Sequence, residues 1–206
     1  AQSEFNRRTT VRSGEEPEFK YGIIVCAMRM FNQHFSEYFK TIVNAHRHAP
    51  KKELFSLASL ELARAAVEAR DVYGLPVVGF DLAGEEAGYP AEDHAPAFSY
   101  AHQNFLKKTV HAGEAYGPES IFQAITSLYA DRVGHGTYLL EPQMITDAEI
   151  ADPVRYVEKL SQYIADRRIT LEICLTSNLQ TNPNMKALEE HSFKRLRAAR
   201  LSTTIC

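Results

Sequence analysis

Short apolar runs alternate with longer amphipathic ones along the chain. The short runs cover residues 22–27, 77–82, 109–112, 132–135, 170–175 and 201–206, and most are rich in β-branched residues. They do not alternate cleanly between apolar and polar, which predicts parallel strands buried on both faces. The longer runs carry a helical period. Over 54–70, Leu57, Leu60, Ala63 and Val67 fall on one face and predict a helix. Pro118 opens another, because proline suits the first helical position, and Ile121, Ile125 and Leu128 form its apolar stripe. Residues 154–165 and 185–200 read as two more.

The order is β-α-β-α, with no internal repeat and no low-complexity linker. That order predicts an α/β fold with a parallel sheet and crossover helices. An open doubly wound sheet and a closed (β/α)8 TIM barrel both fit it. Asp81, His111, His135 and Asn178 fall at or just after the C-terminal ends of successive strands. Barrel enzymes draw their chemistry from several strand ends in this way, whereas an open sheet concentrates it at one switch point. No G-x-G-x-x-G or G-x-x-x-x-G-K-[ST] occurs, which weakens the nucleotide-phosphate folds. The expectation is one domain over 1–206, part of a (β/α)8 barrel with roughly six βα units. Residues 1–20 are polar and expected to be helical or irregular.

Composition narrows the partners. The 206 residues carry a formal charge of −3, which favours neither nucleic acid nor an anionic membrane. Lys194, Arg195, Arg197 and Arg200 cluster at a spacing that suits the wet face of a helix. No apolar run approaches the ~20 residues of a membrane span, and the first twenty residues show no secretory signal. The chain does not begin with Met, so it reads as a piece or a processed product. Its three cysteines, Cys26, Cys174 and Cys206, are odd in number and far apart, which predicts buried reduced thiols and a cytoplasmic location.

Four segments carry chemistry. In His111-Ala112-Gly113-Glu114 a strand ends in histidine, then two small residues, then glutamate. Histidine is a common zinc ligand, and the small pair lets the chain turn so that Glu114 faces the same cavity. Taken alone, a capping glutamate and a satisfied histidine explain it better. In Gly134-His135-Gly136 the glycines leave the histidine approachable from several sides; an incidental histidine in a glycine-rich turn explains it equally well. In Asp81-Leu82-Ala83-Gly84 a strand delivers an aspartate, and Gly84 could offer its amide to a ring nitrogen; a solvated acidic turn is the plain alternative. Thr176-Ser177-Asn178 follows a buried strand and could bond a ligand or cap a helix.

Together, in this order, these segments resemble the adenosine deaminase family of the metal-dependent amidohydrolases. That family shows the same four strand ends, and the resemblance extends over 21–206, including Cys26-Ala27-Met28-Arg29 and Gly117-Pro118-Glu119-Ser120. It implies a zinc enzyme that hydrolyses adenosine, and 2′-deoxyadenosine, to inosine and ammonia. His111 would be a zinc ligand. Glu114 would donate a proton to the purine nitrogen beside the attacked carbon. His135 would orient or deprotonate the attacking water. Gly84 and Asp81 would serve substrate binding. The physics agrees: zinc lowers the pKa of a bound water to about 7. Attack on an aromatic carbon also needs the ring nitrogen protonated, and burial helps a carboxylic acid keep its proton. The cysteine-ligand deaminases use a P-C-x-x-C motif, which is absent here.

The resemblance also has gaps. The family places a His-x-His pair on its first strand and a ligand aspartate after its last. His46-Arg47-His48 lies in a helix-or-loop stretch and reads as solvent-exposed, so the ligand role is not transferred to it. The six runs match the family's third to eighth strands, and the remaining zinc ligands are expected outside this chain. Alternatives are a deaminase of adenine or of a modified adenine nucleoside, and a non-catalytic barrel homologue acting as a binding protein. The partner expected is a small purine nucleoside, with no nucleic acid or membrane, on a monomer or weak oligomer.

Overall fold

The computed structural model describes residues 2–182 and 185–206; Ala1, the first residue of the polar segment, lies outside them. Six strands form one sheet: β1 (Ile23–Met28), β2 (Val77–Ala83), β3 (Lys107–Ala112), β4 (Arg132–His135), β5 (Thr170–Ile173) and β6 (Thr203–Ile205). Spatial order equals chain order, and every neighbouring pair is parallel. Among the described residues the order never reverses, so the switch point of a doubly wound sheet is missing. Consecutive parallel order is that of a barrel wall. β1 and β6 are left as edge strands, and Ile23, Ile24 and Ile205 stand exposed on them.

The helices are α1 (Gln2–Phe5), α2 (Thr9–Arg12), α3 (Glu37–Ala45), α4 (Lys51–Asp71), α5 (Ala95–Gln103), α6 (Pro118–Ser127), α7 (Pro153–Asp166), α8 (Leu175–Thr181) and α9 (Phe193–Ala198). Pro118 sits in the first turn of α6 as expected, and Asp152 caps α7 by accepting from the Arg155 N–H. α4 buries Leu54, Phe55, Ala58, Ala63, Ala66 and Val67; Leu57 and Leu60 of the predicted face are only half-buried.

Alternation along the strands divides the sheet's two faces. Phe80, Leu82, Val110, Ala112, Val133, Leu171 and Ile173 are all buried in one core cluster with helix residues such as Phe98 and Ile121. Phe80 and Phe98 meet edge to face with ring centroids 5.1 Å apart. The intervening positions Asp81, Thr109, His111 and Glu172 carry the polar groups. Glu172 joins Arg132 at 2.5 Å and accepts from the Thr109 hydroxyl at 3.2 Å. It can reach across β4 because Gly134, its register partner, has no side chain. A Cβ at Gly134 would also stand 3.1 Å from the His111 ring.

Three expectations need correction. The strand predicted over 170–175 stops at Ile173, and Thr176-Ser177-Asn178 lies inside α8 rather than at a strand end. The helix predicted over 185–200 is broken: a 3-10 turn spans Leu188–Glu190, His191 and Ser192 turn inward and are buried, and only Phe193–Ala198 is α-helical. The thiols are free, but they are not buried: Cys26 and Cys206 are exposed and Cys174 is half-buried. Among the described residues Cys26 lies on one edge strand of the sheet and Cys206 immediately follows the other. The basic cluster is exposed as expected, with Arg195 bridged to Glu141 at 2.5 Å. His46 and His48 are exposed after α3.

Candidate active site

The polar groups converge at the C-terminal ends of β3 and β4. His111 is the penultimate residue of β3 and pairs in register with Gly134. Its Nδ1 lies 3.2 Å from Asp81 Oδ1 and 3.1 Å from the Leu82 carbonyl, so this nitrogen carries the proton and Nε2 is left as the free lone pair. Burial draws the His111 pKa down, but hydrogen bonding and charge from Asp81, with help from Leu82 and Glu172, outweigh it and hold it above the ordinary value. A histidine backed by a carboxylate in this way has the orientation and basicity of a metal ligand. Asp81 is itself buried, and its Oδ1 also accepts from the Leu82 N–H at 2.8 Å. It therefore stands behind His111 rather than at an open surface.

His135 closes β4 with an unusual backbone. Strict alternation would send it to the core face with Val133, but its φ is 68°. That left-handed geometry ends the alternation, and the ring lies 5.3 Å from the His111 ring. Holding a non-glycine residue there costs about 1–2 kcal/mol, a strain that functional sites tolerate. A hydrogen-bonded chain fixes the ring. The Phe193 N–H donates to His191 Nδ1 at 3.0 Å, so the neutral His191 carries its proton on Nε2 and donates to Asn178 Oδ1 at 3.1 Å. The Asn178 amide then donates to His135 Nδ1 at 2.9 Å. His135 is left with its proton on Nε2, which lies 3.4 Å from Glu114 Oε2. Burial lowers the His135 pKa, with the neighbouring His111 adding to the effect against the opposing pull of Glu114. His191 is lowered by burial as well.

Glu114 follows Gly113, whose φ of +74° lets the chain turn off the end of β3. Its other oxygen accepts from the Thr181 hydroxyl at 3.0 Å, so β3, β4 and α8 all meet at this carboxyl. A cavity beside it is lined by Glu85, Glu86, Glu114, Tyr138, Thr181 and Asn182. Gly84, at φ +103°, is exposed at the end of β2 with its backbone against Arg29. The structure thus joins His111, Glu114, His135 and Asp81 in one constellation, with Gly84 at the next strand end.

Among the described residues no group of three or more His, Cys, Asp or Glu side chains is placed to hold a metal. His111 Nε2 fits one position of a zinc shell, and these residues supply no complete one. Two contributors escaped the sequence. His191 lay within a stretch read as a continuous amphipathic helix. Glu86 comes two residues after the Asp81–Gly84 strand end, yet it is buried and accepts from the backbone N–H groups of 113–116. Nothing local to Glu86 signals this, because those partners lie 27–30 residues downstream.

A family model described as adenosine deaminase matches residues 12–206. A curated adenosine deaminase of Mycolicibacterium vanbaalenii is 40% identical over 167 residues, covering 81% of this chain and 42% of that protein. The chain thus spans less than half the length of the curated relatives it matches. An N6-mAMP deaminase of Arabidopsis superposes with a TM-score of 0.55 at 28% identity, covering 73% of this chain and 39% of that one. An adenine deaminase of Arthrobacter aurescens superposes with a TM-score of 0.62 at 18% identity, covering 98% of this chain and 48% of that one. This last likeness speaks for the fold alone. These neighbours are TIM-barrel deaminases, and the six strands here form part of such a barrel.

Proposed function

Since this chain belongs to the adenosine deaminase family, we propose that the protein carrying it hydrolyses adenosine, and 2′-deoxyadenosine, to inosine and ammonia. The observation that carries the reading is the meeting of Glu114, His135 and His111 within one site. Water adds to the carbon bearing the amino group, the adjacent ring nitrogen takes a proton, and ammonia leaves. Glu114 is the acid that protonates that nitrogen; Thr181 and His135 hold its two oxygens in place. His135, locked by Asn178 in the tautomer that carries its proton on Nε2, orients the attacking water by donating to its oxygen. Gly84 offers its N–H to the purine. Asp81 contributes through His111, which it orients.

His111 Nε2 would hold zinc as one ligand of the shell. A bound zinc ion would supply an activated water near neutral pH. Every other role above belongs to residues of this chain.

The likeness to an N6-mAMP deaminase supports a second reading, in which the substrate is a modified adenine nucleoside or nucleotide. The test is ammonia release by the full-length protein from adenosine, 2′-deoxyadenosine, adenine and N6-mAMP assayed in parallel, with methylamine measured for the last. Highest turnover on adenosine is expected. Turnover on N6-mAMP or adenine alone would replace the adenosine reading, and turnover on none would overturn the deaminase.

A further inference from the structure

Glu86 is a buried carboxylate to which the proposed reaction assigns no work. It lies in the loop after β2, and its oxygens accept from four successive backbone amides. The Gly113 N–H reaches Oε1 at 2.9 Å; the Glu114, Ala115 and Tyr116 N–H groups reach Oε2 at 3.1, 2.6 and 3.1 Å. The Ser120 hydroxyl also donates to Oε1. These four amides belong neither to β3, which ends at Ala112, nor to α6, which begins at Pro118. Converging N–H groups of this kind form an anion nest, and here one side chain fills it from within the protein.

The surrounding groups fasten the same loop from other sides. Arg29, fully buried just beyond β1, donates Nη2 to the His111 carbonyl at 2.7 Å and Nη1 to the Tyr89 carbonyl. The Gly88 N–H donates to the Tyr116 hydroxyl at 2.9 Å. The backbone from His111 to Tyr116 is thus held by the β1 end and by the loop after β2. Glu86 does not touch the Glu114 carboxyl, whose oxygens face Thr181 and His135.

We infer that Glu86 is a positioning residue for the acid: it fixes the backbone of 113–116 so that the Glu114 carboxyl is aimed at His135 and the reacting ring. The inference rests on the proposed role of Glu114. Placement of a reacting group matters steeply, since a displacement of about 1 Å can cost on the order of a hundredfold in rate.

The test uses the zinc-loaded full-length protein as wild type, Glu86→Gln, Glu114→Gln and the double variant. Glutamine keeps the size of Glu86 but turns an NH2 group toward backbone donors. Expected for Glu86→Gln are unchanged zinc content, KM within about threefold of wild type and kcat lower by about tenfold or more. The double variant should be no slower than Glu114→Gln, because both changes disable one device. Amide hydrogen exchange at 113–116 should accelerate by about tenfold or more while the rest of the sheet stays protected. A merely structural role would lower stability with kcat per folded, zinc-loaded molecule unchanged, and that result would overturn the inference. So would rate losses that multiply in the double variant. If the wild type turns over no purine, the proposed function fails separately, and wild-type exchange at 113–116 in Glu86→Gln still decides against the clamp. If Glu86→Gln does not fold, Glu86→Asp keeps the charge on a shorter stem; intermediate losses of kcat and protection are expected, and wild-type values for both would overturn the assignment.

Discussion

His94 should set a measurable acid limit on the fold. It is buried at the N-terminus of α5, and its Nδ1 lies 2.7 Å from the Ser59 hydroxyl. That hydroxyl spends its only proton on the Phe55 carbonyl at 2.9 Å, so it accepts from His94, which must carry its proton on Nδ1 in the neutral form. Burial pushes the pKa down to about 4, and the charge of Arg29 pushes the same way. The unfolded chain takes up this proton near pH 6.5, whereas the folded protein resists until about pH 4. Between those values the unfolded state binds more protons, so the His94 contribution to stability is constant above pH 6.5 and falls as pH drops toward 4. At about 1.4 kcal/mol per pH unit, the loss over the window approaches roughly 3 kcal/mol. His135 and His191 are depressed too, so the assay compares wild type with His94→Gln. Glutamine keeps a donor toward Ser59 but cannot ionise. Urea unfolding from pH 7.5 to 4 should show the wild-type advantage at neutral pH shrinking by about 3 kcal/mol. Parallel losses in the two proteins would refute the assignment.

Other changes have equally definite outcomes. Asp131→Leu removes the partner 2.8 Å from Lys108 Nζ, an ammonium that is 4% exposed, and should cost about 3 kcal/mol in denaturant unfolding because a buried charge is left unpaired. Gly113→Ala would place a Cβ 2.6 Å from Ile121 Cδ1 at a φ of +74°; a stability loss of at least about 1 kcal/mol and a fall in kcat are expected, read by melting and turnover. Asn178→Ala frees His135 from the His191 relay, so kcat should drop by about tenfold or more with zinc content intact. Gly134→Ala crowds the His111 ring at 3.1 Å and should weaken zinc affinity by about tenfold, measured by chelator competition.

The sheet was legible in the sequence because its strands are short, β-branched and buried by sequential neighbours; 132–135 agrees to the residue. The strand ends at Asp81, His111 and His135 were legible for the same reason, since the barrel reading says where strand ends go. The region after β5 was not. Asn178 reads as a strand-end residue and His191 as a helix residue, yet they bond each other across a turn. That pairing is tertiary, and it overrides the helical period that 185–200 suggests. The exposure of Cys26 and Cys206 does not follow from their apolar runs, because such a run predicts burial only where strands lie on both sides, and among the described residues these two stand at the sheet's edges. Glu86 was invisible as a functional group because its acceptor role depends on a backbone loop brought to it by the fold. The left-handed turn of His135 was hidden as well, since such geometry is expected of its flanking glycines and not of histidine.

The most direct test is Glu114→Gln in the full-length protein, scored for bound zinc and for conversion of adenosine to inosine and ammonia. The account predicts wild-type zinc with turnover reduced by about a hundredfold or more. Undiminished turnover in that variant would contradict it.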